Sequence, residues 1–259
     1  MRLVYDRLKL LKKRRIEMSL VTIEGHTILP RALIADSVVL DVGANLGNFS
    51  FLMAKRFGCV CHAIEANPAV FTRIRAHPRI QTHQLAIAGR SGHMVLRIHE
   101  DHECSSIAPI SGESYIGEVE VPAVTLEEFA AAQNLSDIDI VKMDIEGSEV
   151  EVLDSCSDEF LGRCGQLSLE LHDFTGQLSP QVVTRLLTRL ESLGFVVIKM
   201  ARKSHIDTLA INRRRCSIST IEYLYLRYGI RNWHGLKRMV GRWLGAPPPP
   251  NARPSSDRL

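Results

Sequence analysis

The chain has 259 residues, 45% of them hydrophobic and 24% charged, and a formal net charge of +3. This composition excludes a fibrous, collagen-like or wholly disordered chain, and the length can bury a core in one large domain or two small ones. No stretch approaches the roughly 20 apolar residues that cross a bilayer, the N-terminus lacks the apolar centre of a secretion signal, and the six scattered cysteines include no CxxC pair, so reduced thiols and a cytoplasmic location are expected.

Charge divides the chain. Residues 1–20 carry seven Lys or Arg against two Asp or Glu, and residues 211–259 carry ten against two, which leaves an acidic middle. Basic ends suit an anionic partner, either a membrane surface or nucleic acid; a solvated tail with no specific partner is an equal alternative.

Residues 1–35 are expected to form a basic, helical N-terminal segment, followed by an enzyme-sized domain over 36–212. Residues 37–42 (SVVLDV) form a short apolar run closed by a glycine loop, as in a buried parallel strand. Residues 45–57 have helical spacing, 59–64 are the next strand, and Asn67-Pro68 opens a helix with proline where its missing N–H costs nothing. A third strand is expected over 80–86, then a turn at Ser91-Gly92 between two strands. The polar stretch 99–117 is expected to be a long loop, of the kind that serves as a lid. Strands follow at 139–143 and 166–171. Ser179-Pro180 begins an amphipathic helix with Val182, Val183, Leu186, Leu187, Leu190 and Leu193 on one side; Gly194 stops it. Strands at 195–198 and 208–211 complete the domain. Alternating strands and helices predict a doubly wound, Rossmann-like α/β sheet with its ligand at the carboxyl ends of the strands.

Residues 213–246 are expected to be a basic, aromatic, helical extension. Leu236, Met239, Val240, Trp243 and Leu244 share a helical stripe, with Lys237, Arg238 and Arg242 elsewhere on the wheel. This pattern fits a helix in a membrane interface through 217–244, and also a helix docked on its own domain, which is the commoner case. The proline-rich residues 247–259 are expected to be a disordered tail.

Three constellations carry chemistry. In the first, Gly43 and Gly47 lie in the loop after the first strand, where they permit a tight turn and close backbone approach. Glu65 ends the next strand, 24 residues after Asp41, where a carboxylate accepts from ribose hydroxyls. These features predict an adenosine-type cofactor. The spacing is Gly-x3-Gly rather than GxGxxG, and the Asp41 carboxylate just before the loop would repel a pyrophosphate. S-adenosylmethionine, with its ammonium and sulfonium, is therefore favoured over NAD. A tight turn without a ligand would leave the spacing of Glu65 unexplained.

In the second constellation, DIVKMDIEGSE (139–149), Lys142, Asp144 and Glu146 alternate along an extended strand end and point the same way. Lys142 can pair with a carboxylate or orient a substrate hydroxyl, and Ser148 can cap the following helix. The alternative is a buried ion pair with a helix cap. In the third, LELHD (169–173), Glu170 and His172 share a face. A histidine that titrates near neutrality can take a proton from a hydroxyl that attacks a methyl group, although strand-end histidines are as often structural. Asp144, Glu146, Glu170 and His172 can also surround a divalent cation, a reading ranked below the metal-free one.

In this order the pieces resemble the FkbM family of S-adenosylmethionine-dependent methyltransferases: VLDVGANLGNFS (39–50), AIEANP (63–68), LAIAGRSG (85–92), Ser105-Ser106, VTLEEF (124–129), DIVKMDIEGSEVEVL (139–153) and LSLELHD (167–173). The resemblance covers about residues 37–212. It implies a class I methyltransferase fold, a seven-stranded sheet whose last strand is antiparallel, and methyl transfer to a hydroxyl of a sugar, glycan, polyketide or other small acceptor. By analogy Asp41, Gly43, Asn45 and Gly47 serve the methionine end of the cofactor, Glu65 the ribose and Ala86 the adenine. Lys142, Asp144, Glu146 and His172 fall on the acceptor side. The resemblance does not reach the basic ends or fix the acceptor. RNA methylation is an alternative suggested by those ends, but the acidic middle and the lack of an aromatic-proline strand end weigh against nucleic acid. A non-catalytic S-adenosylmethionine-binding or membrane-associated module, at the inner face of a membrane, is another.

Overall fold

A computed structural model describes residues 20–99, 115–173, 178–201 and 204–229. The chain enters through an antiparallel hairpin, β1 (Val21–Ile23) and β2 (His26–Ile28). Glu24 and Gly25 both take positive φ in its two-residue turn, the geometry that matches strand twist. This corrects the expected helical segment over 1–35: residues 20–35 hold the hairpin and a short 3-10 turn at Pro30–Ala32, and residues 1–19 lie outside the described residues.

The expected alternation follows: β3 (Val38–Val42), α1 (Asn48–Phe57), β4 (Val60–Ile64), α2 (Pro68–Phe71) and β5 (Ile80–His83). The strand expected over 80–86 is broken. β5 stays in the large sheet, whereas β6 (Ala86–Ile87) leaves it to join β7 (Gly92–His99) and β8 (Tyr115–Val124) in a small sheet ordered β6-β8-β7. Residues 99 and 115–117, expected in a loop, belong to the β7–β8 ladder, and 100–114 lie outside the described residues.

The capping box of Thr125 and Glu128 starts α3 (Leu126–Ala132), which leads to β9 (Ile138–Met143). Then come α4 (Glu149–Ser155), α5 (Asp158–Gly162), β10 (Cys164–Leu171), α6 (Pro180–Ser192), β11 (Phe195–Lys199) and β12 (His205–Asn212). The large sheet has seven strands in the order β11-β12-β10-β9-β3-β4-β5. β12 runs antiparallel to both its neighbours and the other pairings are parallel, as the resemblance implies. The order reverses between β3 and β9, so their carboxyl ends open on the crevice where such sheets bind ligands.

One face of the sheet buries Leu40, Val141, Leu167 and Leu169 against Leu153, Phe160, Leu186 and Leu190 of the following helices. The hairpin is clamped to β10 and β12. Leu29 N–H donates to Gln166 Oε1 at 2.7 Å, Ser168 Oγ donates to the Thr27 carbonyl at 2.9 Å, and Thr27 Oγ1 donates to Asp207 Oδ2 at 2.6 Å.

After β12, α7 (Thr220–Leu224) and a π-helical turn (Tyr225–Gly229) dock on the domain through Cys216, Ile218 and Leu226, which pack on Val196, Ile198, Leu209 and Ile211. The part of the expected 213–246 extension through residue 229 thus packs on its own sheet; the 236–244 stripe and the 247–259 tail lie outside the described residues. Cys59, Cys61, Cys156, Cys164 and Cys216 are free and buried; burial pushes the Cys59 and Cys216 thiols up to about 11 and those of Cys156 and Cys164 up to about 12. No helix among the described residues is long and apolar enough to cross a membrane.

Candidate active site

The loop between β3 and α1 is shaped by its neighbours. Gly43 has φ +74°, and a Cβ there would stand 1.8 Å from the Asp144 carbonyl oxygen. Gly47 also has φ +74°, and its Cβ would stand 2.7 Å from Ile74 Cγ2. Both glycines take the positive φ of the expected tight turn, and the close approach they permit is that of the protein's own Asp144 backbone and Ile74 side chain. Asn45 follows at φ 50°, and its N–H donates to Glu65 Oε2 at 2.9 Å. The Asn67 N–H donates to Glu65 Oε1 at 2.8 Å. Two amides thus fix the carboxylate at the end of β4. Burial raises its pKa above the ordinary carboxylate value, against the pull of those amides.

A cleft of about 650 Å³, open mouth included, lies over these strand ends. Its lining includes Gly43, Asn45 and Glu65, the apolar Leu85, Ala86, Ile87 and Leu96, and Asp144, Ile145 and Glu146. Four of the six predicted cofactor residues therefore meet in one cleft.

Asp41 and Gly47 do not line it. Asp41 is fully buried below the loop, where its Oδ2 accepts from Ser50 N–H at 3.1 Å and Ser50 Oγ at 2.7 Å, and its Oδ1 lies 3.3 Å from Lys142 Nζ. It braces the first turn of α1 and is neutralised by Lys142. The charge argument against a pyrophosphate is thereby corrected: the carboxylates that face the cleft are Glu65, Asp144 and Glu146.

Lys142 is buried, and its ammonium donates to the Gly43 carbonyl at 2.6 Å. Burial works against its charge, but Asp41 and Asp144 outweigh burial and raise its pKa. Its observed partners fit the ion-pair alternative and leave it turned away from an acceptor. Asp144 lies 3.9 Å from the same ammonium. Burial opposes its ionisation, but His26, Lys142 and His172 together hold it down at about 2.

The end of β10 carries the largest revision. His172 is buried, with Nδ1 2.9 Å from Glu149 Oε1 and Nε2 3.2 Å from Glu146 Oε2. Burial favours neutral imidazole, but the hydrogen bonds and charges of Glu146 and Glu149 overcome it and push the pKa up to about 11. At neutral pH the ring is an imidazolium that donates from both nitrogens. The expected neutral base is therefore not found. Glu170, half-buried beside this group, is pushed up to about 7 by burial and by Asp144.

Two residues were missed from the sequence. Glu149 is fully buried, and its Oε1 also accepts from Ile145 N–H at 3.0 Å and Gly147 N–H at 3.2 Å. It ties down the turn before the helix, and the cap expected of Ser148 is not made, since that side chain makes no cap hydrogen bond. A glutamate beside a serine at a helix start gives no sign of this. His26, on the hairpin, places Nε2 3.8 Å from Asp144 Oδ2 and meets Phe49 edge-on at 5.8 Å between ring centres. It lies in the segment expected to be helical.

Comparison with known proteins gives the family. Residues 41–197 match the model of the Methyltransferase FkbM domain. "Methyltransferase 1" of Beauveria bassiana is 25% identical over 189 residues, 62% of this chain and 73% of the relative. The 31-O-demethyl-FK506 methyltransferase FkbM of Streptomyces tacrolimicus is 27% identical over 199 residues, with the same coverage. Among solved structures, Methyltransferase FkbM from Methylobacillus flagellatus superposes with a TM-score of 0.42 at 15% identity, over 69% of this chain and less than half, 44%, of that one. With more than half of its length matched by the family model, the chain belongs to the FkbM methyltransferase family.

Proposed function

We propose that the protein transfers the methyl group of S-adenosylmethionine to a hydroxyl oxygen of a small-molecule, sugar, glycan or polyketide acceptor. The observation that carries this reading is the polarity of the cleft. A carboxylate fixed by two amides lines the cleft together with an apolar group of side chains and with Asp144 and Glu146. This suits an adenosine with ribose hydroxyls at one end and a cationic group at the other, and it disfavours a pyrophosphate. Glu65 keeps lone pairs for ribose hydroxyls, and Ala86, Ile87 and Leu96 offer a face to adenine. Bound there, S-adenosylmethionine supplies an electrophilic methyl carbon on a sulfonium.

The chain's own task is alignment and proton removal. Asp144 is held ionised and lines the cleft with Glu146. These carboxylates accept the acceptor's O–H and take its proton as the oxygen becomes bonded to carbon. The His172 imidazolium, anchored on Glu149, holds Glu146 in place. The name of the Streptomyces relative specifies methylation at an oxygen, which supports an oxygen acceptor here. The test is transfer of isotope-labelled methyl from S-adenosylmethionine to a panel of sugars, glycans, polyketides and RNA. Label on a hydroxyl of one of the first three supports the reading. Label on RNA alone, or on a nitrogen, overturns it.

A second reading concerns location. Ile221, Leu224 and Tyr228, spaced along α7 and the turn after it, are 70%, 50% and 58% exposed. Beside the basic residues that follow them in sequence, this face suits peripheral contact with an anionic membrane through 217–244. Flotation with anionic vesicles should fall in a variant carrying Ile221→Asp and Leu224→Asp. Equal flotation of variant and parent would remove the idea.

A further inference from the structure

The acceptor end of the cleft holds more negative charge than its own cations balance. Asp41 is paired with Lys142, and Glu149 with His172. Of the other carboxylates at this end, Glu146 shares His172 at 3.2 Å, and Asp144 and Glu170 have no cation nearer than 3.8 Å among the described residues. S-adenosylmethionine brings two positive groups and one carboxylate, a net of one positive charge.

His26, 2% exposed, lies against this cluster. Its Nε2 faces Asp144 Oδ2 at 3.8 Å, a loose ion pair, and its Nδ1 is buried with no hydrogen-bond partner among the described residues. A buried nitrogen left this way is costly unless a ligand completes it. The ring is held in place: the hairpin is pinned at Thr27 and Leu29, just after His26, and Phe49 abuts the ring.

One ligand atom each from His26, Asp144 and Glu170 lies within 4.8 Å of the others. They come from three elements, β2, the end of β9 and the end of β10. Ligand atoms on one ion stand about 3 to 4 Å apart, given bonds of about 2.0 to 2.2 Å. Rotation of the two carboxylates, whose side chains are 30% and 23% exposed, can close that gap without moving backbone. His172 forms a second such group with Asp144 and Glu149, but its two nitrogens already face Glu146 and Glu149 at 3.2 and 2.9 Å. Lys142 does not replace the ion, since its nearer partners are the Gly43 carbonyl and Asp41.

We propose that His26, Asp144 and Glu170 bind a divalent transition-metal ion at the acceptor end of the cleft, leaving open positions for the acceptor's hydroxyl. One imidazole with two carboxylates suits Mn2+ or Zn2+ better than the all-oxygen sites of Ca2+ and Mg2+. A metal-bound hydroxyl is more acidic, so the ion eases loss of the proton that Asp144 or Glu146 takes. This role rests on the methyltransferase reading; binding of the ion does not. His26 lies outside the matched residues 41–197, so the site adds a residue from the hairpin to the family domain.

The test is electron paramagnetic resonance of Mn2+ titrated into the full chain after chelator treatment, with calorimetry of S-adenosylmethionine on the same samples. About one Mn2+ per chain should leave the free pool and be displaced by Zn2+. His26→Ala and Glu170→Gln should each weaken Mn2+ binding about tenfold or more and leave S-adenosylmethionine binding in place. Glu170→Gln, at a partly exposed side chain, decides the matter if His26→Ala fails to fold. Protein that binds S-adenosylmethionine but neither Mn2+ nor Zn2+ overturns the proposal, as does unchanged Mn2+ binding in Glu170→Gln. Mn2+ binding without S-adenosylmethionine binding would leave the metal site standing and remove the cofactor reading instead.

Discussion

A Cβ at position 43 would collide with the backbone of Asp144, so Gly43→Val moves the loop that carries Asp144 and Glu146 as well as the cofactor side. It is expected to lower stability by about 2 to 4 kcal/mol, read by chemical denaturation, besides removing cofactor binding. Glu65→Gln is a cleaner probe. One of its two amide bonds then meets a donor, and S-adenosylmethionine affinity should fall about tenfold or more while the fold persists. Glu146→Gln should lower turnover by about 10² to 10⁴ with little change in cofactor affinity. His172→Ala behaves differently, because it strips the buried Glu149 of its counterion and should cost about 3 to 5 kcal/mol of stability. The sequence put Asp144, Glu146 and His172 at neighbouring strand ends, where the structure has them, but the expected alternation through Glu146 fails: β9 ends at Met143 and Glu146 lies in a turn at φ 54°. Nor did the sequence show that His172 is held charged, because that depends on Glu149 turning back onto Ile145, Gly147 and the ring.

At the scale of elements, β4 and β5 bring two histidines face to face. His62 Nδ1 lies 3.1 Å from His83 Nε2, and both rings meet Phe129 edge-on. Burial first, then the neighbouring ring, pushes His62 down to about 4 from 6.5; burial lowers His83. Above pH 6.5 both imidazoles are neutral in the folded and the unfolded chain. Between pH 6.5 and 4 the unfolded chain takes up protons that the folded one excludes, so stability falls as the pH falls. Glu170, raised to about 7, acts in the opposite sense over the same range, so the histidine contribution, on the order of 2 kcal/mol, is read as the difference between the parent and His62→Phe, whose denaturation midpoint should fall less as the pH falls. The continuous apolar strands, β3, β4, β9, β10, β11 and β12, were legible from their sequence, and so was α6. β8 was not, because its polar outer face reads as loop when 115–124 is scanned without its partner. The break between β5 and β6 is set by tertiary pairing, since β6 finds its partner at Ala123 and Val124. The β1–β2 hairpin escaped because the basic run before it dominated the reading of 1–35.

The whole molecule sets an acidic cleft between basic ends. Its doubly wound sheet, with ligand at the strand ends, was read from the α/β alternation along the chain; the seven strands with one antiparallel were what the family resemblance implied. The acceptor was not legible, because the segments expected to choose it, 99–117 and the region beyond 212, carry no recognisable chemistry. The charge arrangement leads to the central claim, that the cleft takes a cationic adenosine cofactor. Isothermal titration calorimetry of the purified full chain with S-adenosylmethionine, and in parallel with NAD, tests that claim most directly. Saturable binding of S-adenosylmethionine, lost in Glu65→Ala, with no heat from NAD is the predicted result. Saturable binding of NAD, or failure of S-adenosylmethionine to bind with Mn2+ present or absent, would contradict it.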